Sequence, residues 1–430
     1  MLVEFTVENF LSFKEPATLS MVASSIKELR ETNTYAENNL ELLKSAVIYG
    51  ANASGKSNLF SAMAFMKEFI LESSKENQIN EEIAVDYFRL DKSMKDKVST
   101  FEMVFILEGI RYRYGFSVTS HQIEEEWLFS SRKNAEKLVF YRDEDSIELG
   151  SLFKEGKGLE SKTRKNALFL SVAANFNGEI STKLLSWFGT LNIISGSSNN
   201  ILEYTKKKLE DKNFKERILN LLKIADIDIA DIAIEKIKIP EEKIPKDIPN
   251  ELKKMINKEI ELILTERRDP DGNLLTVFNA ENNESQGTIK LLSISAPIID
   301  TIENGRTLII DELDAKFHPL ITQFIIEMFN SDKNKNAQLI FNTHDTNHLT
   351  KNLFRRDQIW FAEKDEFGCS ELYSLVEYKQ DITKVRNDAT YNKNYLMGRY
   401  GAIPYVGNLE LLKELMGNGI GQSSSQKESD

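Results

Sequence analysis

The chain has 430 residues, 41% of them hydrophobic, which is enough to bury the cores of two or three ordinary domains and excludes wholesale disorder. Its 20 glycines and 8 prolines exclude collagen-like and low-complexity classes, and 67 acidic against 55 basic side chains, a net charge of −12, argue against a chain built mainly to coat nucleic acid. One cysteine, Cys369, cannot form an internal disulfide and no Cys/His spacing resembles a zinc site, so a reducing, cytoplasmic setting is expected.

The opening MLVEFTVENF places Glu4 and Glu8 where a signal peptide needs an apolar stretch, and no apolar run reaches the roughly 18 residues of a membrane span. Leu2 to Val7 alternates as a strand does, and Ser45 to Tyr49 is a short apolar run of the buried parallel kind. A long amphipathic helix is expected from Ser57 to about Ile70. Between strand and helix lies Gly50-Ala51-Asn52-Ala53-Ser54-Gly55-Lys56-Ser57, which fits the phosphate-binding P-loop. Glycines let the backbone curl so that successive N–H groups face a phosphate, and the helix N-terminus adds the positive end of its dipole. Lys56 is assigned to the β- and γ-phosphates and the Ser57 hydroxyl to magnesium. Gly50, Asn52, Ala53, Ser54, Gly55 and Asn58 complete the cradle.

From Thr100 to Arg142 the period becomes two, with Glu108-Gly109 as a turn, which predicts an antiparallel lobe of three or four strands. The clusters Glu124-Glu125-Glu126 and Asp143-Glu144-Asp145 read as solvated faces, and His121 carries no assignment. Ile201 to Ala225 is rich in Lys and Glu at helical spacing, and Lys206-Lys207-Lys208 are candidates for a basic strip. IADIAIEKIKIP reads as a strand, Glu241 to Lys258 as loop plus helix, and Asp269-Pro270-Asp271-Gly272 as a hairpin turn.

A helix is expected from Thr288 to Ile302. The apolar strand Thr307 to Ile310 then ends in Asp311-Glu312, which places two carboxylates at the carboxyl edge of a parallel sheet beside the phosphate loop. Asp311 is assigned to the magnesium, and Glu312 to orienting the attacking water and accepting its proton. His344 follows the next apolar strand, Gln338 to Asn342, and is placed on the same edge near the γ-phosphate. His318-Pro319 suit a helix start, and His348 is read as structural.

Alternating strands and helices predict an α/β fold: a mixed central sheet with helices, an antiparallel β lobe and a small helical insertion. The expected divisions are 1–200, an insertion over 201–268, a C-terminal part over 269–415 and a frayed polar tail over 416–430. No internal repeat is present.

The succession of Gly50–Ser57, ESQGT at Glu284 to Thr288, IIDELD at Ile309 to Asp314 and THD at Thr343 to Asp345 resembles the ABC-type ATPases. More narrowly it is similar to the single-chain, SMC- and RecF-like group described as AAA family ATP-binding proteins. FTVENFLSF, YRYGF, LDAKFHP and GRYGAIPYVGN are similar to that group too. The resemblance implies a P-loop NTPase head of ABC type that takes ATP and Mg2+ and hydrolyses ATP. It also implies a homodimer or higher homo-oligomer that encloses nucleotide between subunits. Ser285 and Gly287 then match the signature that contacts the γ-phosphate bound by the opposite subunit, and Asp314 matches the D-loop residue. Glu284 and Gln286 depart from the usual Leu-Ser-Gly-Gly-Gln, and the lid glutamine has no assigned position. The 254 positions separating Ser57 from Asp311 require an insertion, and no sustained heptads support long coiled coils.

Stand-alone ATPases of this kind resemble components of bacterial anti-phage defence systems. That implies a nucleotide-dependent switch controlling a nuclease or toxin-like effector, with DNA or a phage protein as further partners and no membrane. The stretch beyond Asn342 is too short for an attached Toprim nuclease domain. The alternative is a DNA-binding RecF/SMC-like genome-maintenance ATPase.

Overall fold

A computed structural model describes residues 1–37, 39–75, 81–132, 135–194, 200–237, 260–380, 383–384 and 390–404. The expected loop and helix over Glu241 to Lys258 and the tail over 416–430 lie outside the described residues.

Two large sheets dominate. The outer one is antiparallel and comprises β1 (Leu2–Glu8), β2 (Ala17–Ser20), β6 (Ser99–Leu107), β7 (Ile110–Val118), β8 (Ile123–Ser131), β9 (Lys137–Arg142) and β10 (Ile147–Leu149), in the order β10-β9-β8-β7-β6-β1-β2. The lobe expected over Thr100 to Arg142 is present as four antiparallel strands, β6 to β9, and β1 with β2 on one side and β10 on the other extend it to seven. Period two is visible in β6, where Ser99, Phe101, Met103 and Phe105 are buried and the residues between them less so. A small hairpin, β3 (Thr34–Glu37) with β4 (Leu40–Leu43), stands beside it.

The inner sheet comprises β5 (Ser45–Tyr49), β11 (Asn192–Ile194), β15 (Thr307–Ile310), β16 (Gln338–Asn342), β17 (Ile359–Lys364) and β18 (Ser370–Ser374), in the order β11-β15-β16-β5-β17-β18. All its pairings are parallel except β17 with β18. Its central strands are continuous apolar runs because both faces are covered. In β5, Ala46 and Ile48 join the core shared with the outer sheet, while Val47 and Tyr49 join the core on the opposite face. Ile309 of β15 and Ile340 of β16 follow the first pair; Leu308, Ile310, Leu339 and Phe341 follow the second. The helix Lys56–Glu72 fills the space between the sheets with Leu59, Met63, Met66 and Ile70.

The segment expected as a helical insertion holds helices Asn200–Leu209 and Lys212–Ile224, followed by β12 (Asp231–Ile237) and β13 (Ile260–Arg268). The hairpin of β13 with β14 (Leu274–Asn279) crosses the boundary expected at Arg268 and turns at Asp269–Gly272, where Gly272 N donates to Asp269 O at 2.9 Å. The insertion is thus helical and β together, and its helices pack on helix Gln286–Asn304.

Two charge readings change. Glu126 is not on a solvated face: it is fully buried. Alternation from the buried Leu128 turns Glu126 in and Glu125 out, and a register shift at Ser117/Val118, with Glu124 the extra residue, lets the out-of-phase Ile123 turn in as well. Lys206 and Lys208 do not form a basic strip. Lys206 is buried and pairs with Glu203 at 2.8 Å, and Lys208 pairs with Asp300 at 3.6 Å over the ring of Phe214. Both cations are consumed in packing the insertion onto the head.

Candidate functional site

β5 delivers the phosphate loop to the carboxyl edge of the inner sheet, and helix Lys56–Glu72 starts there with its first amides free. The two loop glycines are required sterically. A Cβ on Gly50 would lie 2.4 Å from Ala362 O, and Gly55 has φ +106° with a Cβ position 2.3 Å from Ser370 Oγ. Behind the loop, Asn58 Nδ2 donates to Ser12 Oγ at 2.7 Å, and Ser370 Oγ donates to Ser54 O at 2.8 Å and lies 2.8 Å from Ser12 Oγ. These contacts brace the loop from β18 and from the N-terminal segment. The contacts of Ser370 span more than 300 residues of sequence, and no local pattern announces them.

Lys56 is buried, and its ammonium donates to Gly50 O and Ala51 O at 2.8 Å each. Burial pulls it down to about 8, against the opposing pull of Asp311, Glu312 and Asp314. An anionic phosphate in the loop supplies the counter-charge that two carbonyls only partly replace.

β15 and β16 carry the acids and the histidine to the same edge. Ser57 Oγ donates to Asp311 Oδ1 at 3.0 Å, so the hydroxyl and the carboxylate assigned to magnesium are adjacent across 254 positions of sequence. Both are hard oxygen donors of the kind Mg2+ takes, which fits the ion. Glu312 adopts a left-handed backbone with φ +55°, its side chain is exposed, and no donor among the described residues reaches its carboxylate. His344 is exposed on the same edge, and its N–H donates to Asp314 Oδ2 at 3.3 Å. Asp314 Oδ1 is buried without a hydrogen-bond partner among the described residues. His348 is buried near Asp345, and His318 caps helix Pro319–Phe329 by accepting from Leu320 N at 3.3 Å.

A cavity of about 440 Å³ joins the loop to Glu312 and His344, while Asp311 lines the adjoining cavity, which shares Ser57 with it. The lining of the first comprises Asn52 to Asn58, Glu312, Asn342, His344 and Lys364. Asn342 and Lys364 were not anticipated from the sequence. Each closes a strand that flanks β5 in the sheet, so only the strand order places them at the phosphate loop.

Ser285 and Gly287 do not line this cavity. Ser285 caps helix Gln286–Asn304, with Thr288 N donating to its hydroxyl at 3.1 Å, and Gly287 has Lys316 O 2.9 Å from its Cβ position. The departures from the usual signature have local causes. Glu284 accepts from Thr265 Oγ1 at 2.6 Å and from Arg267 at 2.9 Å, fastening the helix start to β13, and Gln286 accepts from Lys316 Nζ at 2.9 Å. One turn on, Lys290 Nζ donates to Glu312 O at 2.7 Å, Ala315 O at 2.8 Å and Leu313 O at 3.3 Å, which ties the signature helix to the loop after β15. Burial lowers Lys290 to about 8.

The family model described as "AAA domain, putative AbiEii toxin, Type IV TA system" matches residues 45–349. No curated protein matches. Among solved structures, the SMC head domain from Thermotoga maritima aligns with 12% identity over 87% of this chain and 98% of its own, at a TM-score of 0.40. An SMC head bound to the C-terminal winged-helix domain of ScpA gives 13% identity, 87% and 97% coverage and a TM-score of 0.43. The SMC head with an extended coiled coil bound to the C-terminal domain of ScpA, derived from Pyrococcus furiosus, gives 12%, 87%, 96% and 0.42. With the family match spanning over two thirds of the sequence, from the P-loop strand through the histidine edge, the chain belongs to this AAA-domain family.

Proposed function

We propose that this protein binds and hydrolyses ATP as a nucleotide-dependent switch that encloses ATP between two copies of itself. The observation that carries the reading is the convergence of the phosphate loop, Ser57, Glu312 and His344 on one cavity, with Asp311 bonded to Ser57 at its edge. The loop amides and Lys56 hold the β- and γ-phosphates. Ser57 and Asp311 hold Mg2+, which neutralises the phosphate oxygens as charge builds on them. Glu312, whose carboxylate meets no donor among the described residues, orients a water and takes its proton as the oxygen bonds to the γ-phosphorus. The bond from that phosphorus to the β-bridging oxygen breaks, and ADP leaves. His344 lies within reach of the same phosphate.

Enclosure by a second copy is supported by where Ser285 and Gly287 sit. They lie outside the lining of their own cavity, at a capped helix N-terminus suited to an anion. ATP then closes the pair and hydrolysis reopens it. We read the output as control of a nuclease or toxin-like effector in an anti-phage defence system. The family's description, which names a toxin of a toxin–antitoxin system, favours this reading. DNA clamping is the weaker reading, because Lys206 and Lys208 are sequestered in ion pairs and the net charge is −12. Among the described residues no helix is long and apolar enough to cross a membrane.

Sedimentation of the Glu312→Gln protein with MgATP tests the enclosure. It should pair with ATP and not with ADP, and Ser285→Arg in the same background should keep it apart. Pairing that ignores nucleotide would overturn the reading, and a steeply salt-dependent DNA affinity would favour the clamp.

A further inference from the structure

We infer that Asn342 is the positioning residue of the hydrolytic site, an inference that rests on the ATPase reading above. β16 lies between β5 and β15, so its last residue emerges between the phosphate loop and the two acids. Asn342 is 1% exposed, yet its side chain reaches the cavity wall.

It touches three consecutive residues of the turn after β15. Its Nδ2 donates to Asp311 Oδ1, its Oδ1 accepts from Glu312 N, and its backbone O accepts from Leu313 N at 3.2 Å. The Asp311 oxygen it holds is the one that also accepts from Ser57. Glu312 sits at φ +55°, a conformation L side chains rarely adopt, so something must hold it. Asn342 holds its N–H, and Lys290 holds its carbonyl.

The chemistry at position 342 is restrictive. A carboxamide carries a donor and an acceptor on one planar group, and its orientation is fixed because the donor must face Asp311 and the acceptor Glu312 N. Aspartate has the same shape but turns a like charge toward Asp311. Leucine has similar volume and offers neither group. The left-handed turn directs Glu312 differently from Asp311, so one acid serves the metal and its neighbour the water. Asn342 keeps that division in place before substrate arrives, which spares the site reorganisation during the reaction. Its bonds run to the acids and none runs to Gly50–Ser57, so the grip on the phosphates should survive its loss.

The test compares full-length Asn342→Leu and Asn342→Asp with the wild type. It reads kcat at saturating ATP and Mg2+, Kd for ATP in EDTA by calorimetry, and Tm. Leucine should lower kcat roughly ten- to a hundredfold, as loss of a residue that orients a metal ligand does. Aspartate should lower it at least as far despite its shape, and both should keep the EDTA Kd within about threefold of wild type. If Asn342→Leu does not fold, Asn342→Asp carries the comparison, since it preserves volume. Wild-type kcat in either variant overturns the role, and so does a Kd in EDTA that worsens in step with kcat. No turnover by the wild type itself overturns the ATPase reading and this inference with it; wild-type turnover alongside an undiminished Asn342→Asp overturns the inference alone.

Discussion

Two carboxylates, one within the outer sheet and one in the turn that follows a strand of the inner sheet, sit in opposite circumstances. Glu126 of the outer sheet is fully buried and saturated. It accepts from Tyr114 Oη at 2.9 Å, Phe169 N at 2.6 Å and Leu170 N at 3.0 Å, and it lies 3.5 Å from Arg142. Those two amides start helix Phe169–Asn175, so Glu126 satisfies a helix end from another element. Burial pushes its pKa up, and Arg142 and the two amides oppose the shift. Glu312, in the turn after β15, is exposed at a cavity with its oxygens open among the described residues, on a backbone that three tethers hold in an unfavourable conformation. A buried acid with every lone pair engaged does structural work. An acid whose oxygens are free while its backbone is pinned is placed for chemistry.

That contrast breaks most directly at Glu312. Glu312→Gln should lower ATP turnover roughly hundred- to ten-thousandfold and shift stability by less than about 0.5 kcal/mol, because the amide keeps the shape and the site is exposed. A phosphate-release assay beside a thermal melt checks both halves. Glu126→Leu should do the reverse. It strands a buried Arg142 and uncaps a helix, costing about 3–5 kcal/mol of stability by chemical denaturation, while the variant that still folds keeps its ATP affinity. Lost ATP affinity in folded Glu126→Leu would erase the distinction between the two acids.

Lys290 sharpens the comparison through pH. Its folded pKa of about 8 lies below the ordinary lysine value of 10.5, so between those values the unfolded chain holds more protons and stability rises with pH. Lys56 contributes in the same sense. The rise in Tm from pH 8 to 9.5 should shrink, without vanishing, in Lys290→Met; an unchanged slope would remove Lys290 as a titrating clasp. The smallest expected effect is at Lys364, which lines the cavity from β17 and has no carboxylate within ion-pair distance among the described residues. Lys364→Ala should weaken ATP binding about three- to tenfold, measured by fluorescent-nucleotide titration.

The parts legible in the sequence were those written contiguously. The phosphate loop, the paired acids after Thr307–Ile310 and His344 after Gln338–Asn342 each follow an apolar run that fixes where the next residue emerges. Asn342, Lys364 and the Ser12–Ser370 brace became visible only with strand order, since parallel strands bring together residues whose separation carries no periodic signal. Glu126 reads as solvated because three consecutive glutamates conceal their phase, which the buried Leu128 two residues on sets and the bulge at Glu124 breaks. The basic run Lys206–Lys208 looked like a surface strip until its partners Glu203 and Asp300 were in place.

The central claim is that the loop Gly50–Ser57 grips a triphosphate. Calorimetry of MgATP against the wild type and Lys56→Ala measures it most directly. The account predicts a saturable isotherm for the wild type and at least a hundredfold loss of affinity in the folded Lys56→Ala protein. A wild type that ignores ATP, or a Lys56→Ala protein that binds it equally well, would contradict it.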